Sequence, residues 1–150
     1  MMTRTNFLKT LPDAVIPKLP GSLQNIKVRQ PYRWLIQLNY GEPGLHYEVS
    51  GSRHRPGWEV GFHCEARDKR LNRHLLDGFR RHLFEIKAEL GESVEAEMWD
   101  RGWTKVYEIL PEAALTAEYQ AEVGIRLAQF IICLHPIYVQ LRNDVARIHR

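Results

Sequence analysis

The stretch Gly57–Glu65, GWEVGFHCE, alternates along its whole length. Trp58, Val60, Phe62 and Cys64 fall on one side of an extended chain, and Glu59, Gly61, His63 and Glu65 on the other. A period of two with one apolar side calls for a sheet strand buried on that side only. A second layer must then cover the apolar side chains, because a large one left in water forgoes roughly 1.5–3 kcal/mol.

The neighbouring segments supply the rest of the sheet and its cover. From Pro31 the sequence YRWLIQLN reads as a strand with Tyr32, Trp34, Ile36 and Leu38 on one face, and YGEPG as a turn. LHYEVS is a second strand, with Leu45, Tyr47 and Val49 opposite His46, Glu48 and Ser50, and GSRHRP connects it to the opening stretch. Leu71, Leu75, Phe79, Leu83, Ile86 and Leu90 recur at helical spacing. They predict one amphipathic helix capped by Asp68 and stopped at Gly91. SVEAEMWDRGWTKVYEIL predicts a hairpin turning on Asp100–Gly102. In it Trp99 pairs with Trp103, Glu97 with Lys105 and Ala96 with Val106, and Val94, Ala96, Met98 and Val106 face the core. A last helix carries Val123, Leu127, Phe130, Ile131 and Leu134, with Pro136 expected to kink or split it. Trp34, Tyr47, Trp58 and Phe62 read as core. The expected class is α+β, a mainly antiparallel sheet in the order βββ-α-ββ-α with helices packed on one face.

Residues 1–25 read as an irregular N-terminal arm, since Pro12, Pro17 and Pro20–Gly21 interrupt any period, with room for a short helical turn near Phe7–Leu11. Residues 26–150 then form a single domain. No uninterrupted run of 18 apolar residues occurs, so no transmembrane helix or membrane partner is expected. The N-terminus lacks the apolar core of a signal peptide. Cys64 and Cys133 sit in apolar settings without CxxC spacing, and the expected location is cytoplasmic. A net charge of +3 permits a nucleic-acid partner without demanding one.

Two sets of residues are candidates for function. His46, Glu48, Glu59, His63 and Glu65 share one sheet face. Histidine and carboxylate donors suit Zn, Mn or Fe, and strand-borne carboxylates also hold the metals of phosphodiester hydrolases. The plainer reading has this face meeting water or a second subunit, with His46 or His63 moderating the charge below neutral pH. A nuclease reading also asks for a lysine beside the acids, and Glu65–Arg67 offers only an arginine, a poor general base. The second set is cationic and aromatic: Arg70, Arg73, Arg80 and Arg81 on the first long helix, with Trp99, Trp103 and Lys105 on the hairpin. These suit phosphate contact and base stacking, or a partner protein, and equally a solvated helix face and a stabilising cross-strand pair. No P-loop, GxGxxG or Ser-His-Asp order is present.

GLHYEVS, EVGFHCEARDKRLNRHLLDGF, EIKAELGESVEAEMWDRG and IRLAQFIICLHPIYVQL together resemble a bacterial and archaeal family of uncharacterised proteins. The likeness runs from about Gly44 to Leu141. The domain of that family stands alone or follows a nuclease-like region, which has no counterpart here. The resemblance implies an accessory domain linked to nucleic-acid processing or defence, and it carries no catalytic residues with it. The leading expectation is thus a non-enzymatic binding module without a cofactor, forming a homodimer or docking on a partner protein or nucleic acid. The alternatives are a metal-dependent phosphodiester hydrolase using the Glu/His cluster with a divalent metal, and a small-molecule pocket between sheet and helices.

Overall fold

The computed structural model describes residues 1–52 and 54–148. Its elements are α1 (Arg4–Val15), β1 (Lys27–Tyr32), β2 (Leu35–Asn39), β3 (Leu45–Ser52), β4 (Arg55–Cys64), α2 (Lys69–Arg81), α3 (Leu83–Leu90), β5 (Glu95–Met98), β6 (Thr104–Leu110) and α4 (Ala117–Ile148). The strands make one sheet in the order β1-β2-β3-β4-β6-β5, antiparallel throughout. This is an α+β fold. The order of elements differs from expectation, with a helix ahead of the strands, four strands before α2, and two helices where one was expected.

β4 lies in the middle of the sheet. Trp58, Val60, Phe62 and Cys64 are buried on its apolar side, as their alternation requires. Helices from both ends of the chain meet them there. Phe7 of α1 stacks on Trp58 with ring centres 5.2 Å apart, and Phe79 of α2 and Tyr138 of α4 reach Phe62 at 5.7 and 5.2 Å.

Four sequence expectations need correction. The N-terminal arm is not irregular: α1 is capped by Thr3, whose Oγ1 accepts from the Asn6 amide. Phe7, Leu8, Leu11 and Val15 of α1 are fully buried. Pro12 is accommodated within α1, and Pro17 stands in a 3-10 turn beyond it. The segment around Tyr32 is a hairpin, not one strand. β1 is polar, outermost and mostly exposed, so it shows no alternation to detect. The turn at Arg33 and Trp34 carries Trp34 away from the core, where it is half exposed and stacks on Tyr32 at 5.2 Å and 4°. The helix after Asp68 breaks at His82, which ends α2 and starts α3. Pro136 does not split the last helix: α4 continues as one element through it. α4 also contains a stretch long and apolar enough to cross a membrane, half of which is buried within the domain.

The β5–β6 hairpin follows the expected register, with Ala96 opposite Val106 and Glu97 opposite Lys105. Gly102 takes φ 78° in the turn, a conformation that glycine adopts without strain. Val94, Ala96 and Val106 are buried, but Met98 near the hairpin end is 44% exposed. Two polar anchors set the surroundings of the open sheet face. Asn72 is fully buried in α2 and bonds both the Ala66 backbone and the Gly102 carbonyl, so the hairpin tip is tied to the helix. Tyr138 and Arg142 of α4 both bond Glu42, tying down the β2–β3 turn.

Candidate functional site

The face of the sheet turned away from the helices carries the five residues singled out as possible metal ligands, and the register brings them together. His46 stands directly across from His63, Glu48 across from Gly61, and Ser50 across from Glu59. On the other side of β4, Lys105 of β6 stands across from His63. A Cβ at Gly61 would come within 2.4 Å of the Val106 carbonyl oxygen. Glycine at this position therefore lets β6, with Lys105 and Tyr107, approach closely.

The expectation that this face is wet fails at its centre. His46, Glu48, Glu59 and His63 are all less than 10% exposed, and only Glu65 is partly open. Flanking aromatic and cationic side chains provide cover, including Trp99 edge-on to His63 at 6.0 Å.

Buried charges need partners, and these side chains supply one another. His63 donates from Nδ1 to Glu65 at 2.9 Å and from Nε2 to Glu59 at 2.7 Å, with Glu48 at 3.5 Å. His46 Nδ1 faces the Pro43 carbonyl at 2.8 Å and its Nε2 faces Glu48 at 3.0 Å. Lys105 Nζ donates to Glu59 at 2.7 Å and lies over the rings of Trp99 and Tyr107 at 5.2 and 4.1 Å. Arg55 approaches Glu59 at 3.6 Å.

Burial opposes a charge on His63, but Glu48, Glu59 and Glu65 outweigh it and raise its pKa to about 10. Burial likewise works against the Glu59 carboxylate, while His63 and Lys105 pull its pKa down to about 2. Glu48 follows the same logic: burial raises its pKa, and His63 and His46 bring it below the usual range. Without a metal the cluster is a bridged charge network, with an imidazolium among carboxylates.

The same donors fit a divalent metal. One atom from each of His46, Glu48, His63 and Glu65 lies within 4.8 Å of the others. Donors about 2.1 Å from one ion stand about 3.4 Å apart at tetrahedral positions, so closing the set takes about an ångström of side-chain movement. Histidine ligands typically anchor their second nitrogen on a carbonyl or carboxylate. Here Nδ1 of His46 has the Pro43 carbonyl and Nδ1 of His63 has Glu65; Nε2 of His46 faces Glu48 at 3.0 Å, while Nε2 of His63 lies 3.5 Å from Glu48 and would have to leave Glu59 to meet a metal.

A groove of about 480 Å³ runs over this floor, a size suited to a small ligand or a segment of polymer. Tyr32 and Trp34 form one wall, Trp99 and Trp103 the other, and Arg29 and Gln37 line it beyond Glu48. Two further depressions lie where helices meet the rim of the sheet, one between the start of α1 and the end of β3 and one between α2 and the β5–β6 hairpin.

The cationic candidates are spread more widely. Arg70 and Arg73 line a separate shallow depression beside Gly102, and Arg73 lies 3.9 Å from Asp77. Arg80 donates to the Ala96 carbonyl, and Arg81 is exposed further along α2. Lys105 belongs to the buried cluster. Trp99 and Trp103 stand 5.3 Å apart with Trp99 43% exposed. Sequence reasoning had Lys105 in its correct hairpin register but had no signal for β6 pairing with β4, the contact that sets Lys105 beside Glu59. It also missed the Tyr32–Trp34 wall, which depends on the undetected β1–β2 turn.

No protein family, curated protein or solved structure matches this chain.

Proposed function

We propose that the open sheet face is a divalent-metal site and that the protein is a metal-dependent phosphodiester hydrolase, with the aromatic-walled groove as its substrate channel. The observation that carries this reading is Lys105. The acidic cluster has a lysine 2.7 Å from Glu59, the element that the local sequence around Glu65 lacked. A divalent metal at His46, Glu48 and His63 would supply Lewis acidity and a water activated near neutral pH. Glu59, ionised at neutral pH, holds the Lys105 ammonium one strand beyond His63 and against the Trp99 ring, where it would add positive charge beside the groove for a bound phosphate. Glu65 and the Pro43 carbonyl orient the two imidazoles. The indole rings of Trp99 and Trp103 offer stacking surfaces to bases beside that phosphate. This reading retains the link to nucleic-acid processing implied by the family resemblance. A cytoplasmic location accords with two buried free cysteines. Val123, Leu127, Phe130, Ile131 and Leu134 of α4 are buried within the domain, which supports reading α4 as a core helix.

A second reading rests on a specific observation: both nitrogens of His63 are already bonded to carboxylates. The cluster then serves as a structural charge network beneath a non-catalytic binding groove for nucleic acid, a partner protein or a second copy of the chain. Calorimetric titration with Zn²⁺, Mn²⁺ and Co²⁺ separates the two. The metal reading expects saturable one-to-one binding, stronger at pH 8 than at pH 6 because His63 must lose a proton. Glu48→Gln should weaken it by about a hundredfold, and metal-loaded protein should cleave a chromogenic phosphodiester. If no metal binds at millimolar concentration at either pH, the hydrolase reading fails and the binding-module reading stands.

A further inference from the structure

We propose that a second pocket, next to the groove and sharing Trp34 with it, binds the phosphate of a nucleotide whose base stacks on the Trp34 indole. The pocket measures about 580 Å³ and is lined by Arg4, Thr5, Arg33, Trp34, Ser52 and His54, with Gly51 at its edge. It brings the start of α1 against the β1–β2 and β3–β4 turns, three segments distant in sequence.

Its charge is uncompensated. Among the described residues, no carboxylate lies within 4.0 Å of Arg4, Arg33 or His54. Most other cations around the sheet face are paired, Lys105 and Arg55 with Glu59 and His63 with three glutamates. Two guanidinium groups facing one cavity without a counter-ion repel each other modestly, and an anion between them relieves that repulsion with charge-assisted hydrogen bonds.

Arg4 is also held in place. Its guanidinium lies over the ring of Trp58 at 5.0 Å, and Trp58 is only 2% exposed. A Cβ at residue 51 would come within 2.4 Å of Arg4 Nη2, so Gly51 makes the room that this arginine occupies. Ser52 Oγ accepts from the His54 amide, which leaves its hydroxyl proton free for an anion oxygen.

Trp34 turns an anion pocket into a nucleotide pocket. The indole is 50% exposed and braced by Tyr32, parallel within 4°. It forms a wall of both the cationic pocket and the groove over the His/Glu cluster. A planar base against this plate would have its phosphate among Arg4, Arg33 and His54, with the next linkage of a strand directed into the groove toward His46 and Glu48. The inference builds on the phosphodiester reading of the groove by naming the substrate as a nucleotide, and it is testable without metal.

The test is titration of the protein in EDTA at low salt with adenosine monophosphate, adenosine and inorganic phosphate, followed by tryptophan fluorescence and calorimetry. The monophosphate should bind at least tenfold more tightly than adenosine. Arg33→Ala and His54→Ala should each weaken the monophosphate by about tenfold and leave adenosine unchanged. Trp34→Ala should weaken both nucleotide and nucleoside. Arg33, Trp34 and His54 are exposed, so these variants should keep the wild-type melting temperature. The titration is done in EDTA and reads binding alone, so the fate of the hydrolase reading does not decide this one. Equal affinity for monophosphate and adenosine, no saturation at 10 mM or below (roughly −2.7 kcal/mol), or an Arg33→Ala variant that binds as wild type would overturn the proposal.

Discussion

His63→Ala should be among the most destabilising single substitutions in this protein, costing about 3–5 kcal/mol. The residue is 3% exposed and within 3.5 Å of three carboxylates. Its removal leaves Glu48 and Glu59 buried without the charge that offsets their desolvation. A companion Glu59→Gln change should recover part of the loss, because it removes one of the stranded charges. Chemical denaturation of EDTA-treated protein measures both.

The same network fixes a pH profile. The pKa of His63 rises from 6.5 to about 10 on folding, so the folded state binds this proton more tightly than the unfolded chain. Its stabilisation is complete below pH 6.5 and is lost as pH climbs toward 10. The pKa of Glu59 falls from 4.5 to about 2, so its stabilisation is complete above pH 4.5 and is lost on acidification. Metal-free protein should therefore melt at the highest temperature between about pH 4.5 and 6.5. In His63→Ala the decline on the alkaline side should flatten. A wild-type melting temperature that rises from pH 6.5 to 9 would show that His63 is neutral in the fold.

Removing residues 1–18 should abolish cooperative folding. Phe7, Leu8, Leu11 and Val15 are each fully buried, and together they withdraw apolar surface worth roughly 6–12 kcal/mol. That is as large as the whole stability of an ordinary domain, about 5–15 kcal/mol. The truncation also strips the cover from Trp58 and leaves the side chain of Gln120 without the Phe7 carbonyl and Thr10 hydroxyl it bonds. Leu11→Ala is the milder probe, expected to cost 2–5 kcal/mol. A truncated chain that keeps its near-ultraviolet circular dichroism and a sharp melt would show α1 to be dispensable.

The buried half of the sheet was legible because alternation reports which side chains share a face, and Trp58, Val60, Phe62 and Cys64 needed no other information. Alternation says nothing about what lies over the opposite face. Glu59 and His63 were placed on the correct side of β4, yet their burial depends on Trp99, Lys105 and Arg55, which arrive from the β5–β6 hairpin and from four residues away. Trp34 misled for a related reason: its spacing matched Ile36 and Leu38, but a turn intervenes. α1 was hidden by prolines that normally interrupt helices, while its apolar stripe at positions 7, 8, 11 and 15 was present in the sequence and outweighed them. The pairing of β4 with β6 across α2 and α3 had no local signature at all, and with it went Lys105.

The two outermost strands differ in sign. β1 presents Lys27 and Arg29 together with Pro31, which has no backbone N–H to offer, and β5 is four residues long with Glu95 and Glu97. Two molecules meeting along like borders would bring like charges into register. Unlike borders would attract, but the irregularity between Arg29 and Tyr32 and the missing donor at Pro31 interrupt any shared ladder. Growth of the sheet stops at six strands, and the native protein is guarded against templating fibrils from its own rim.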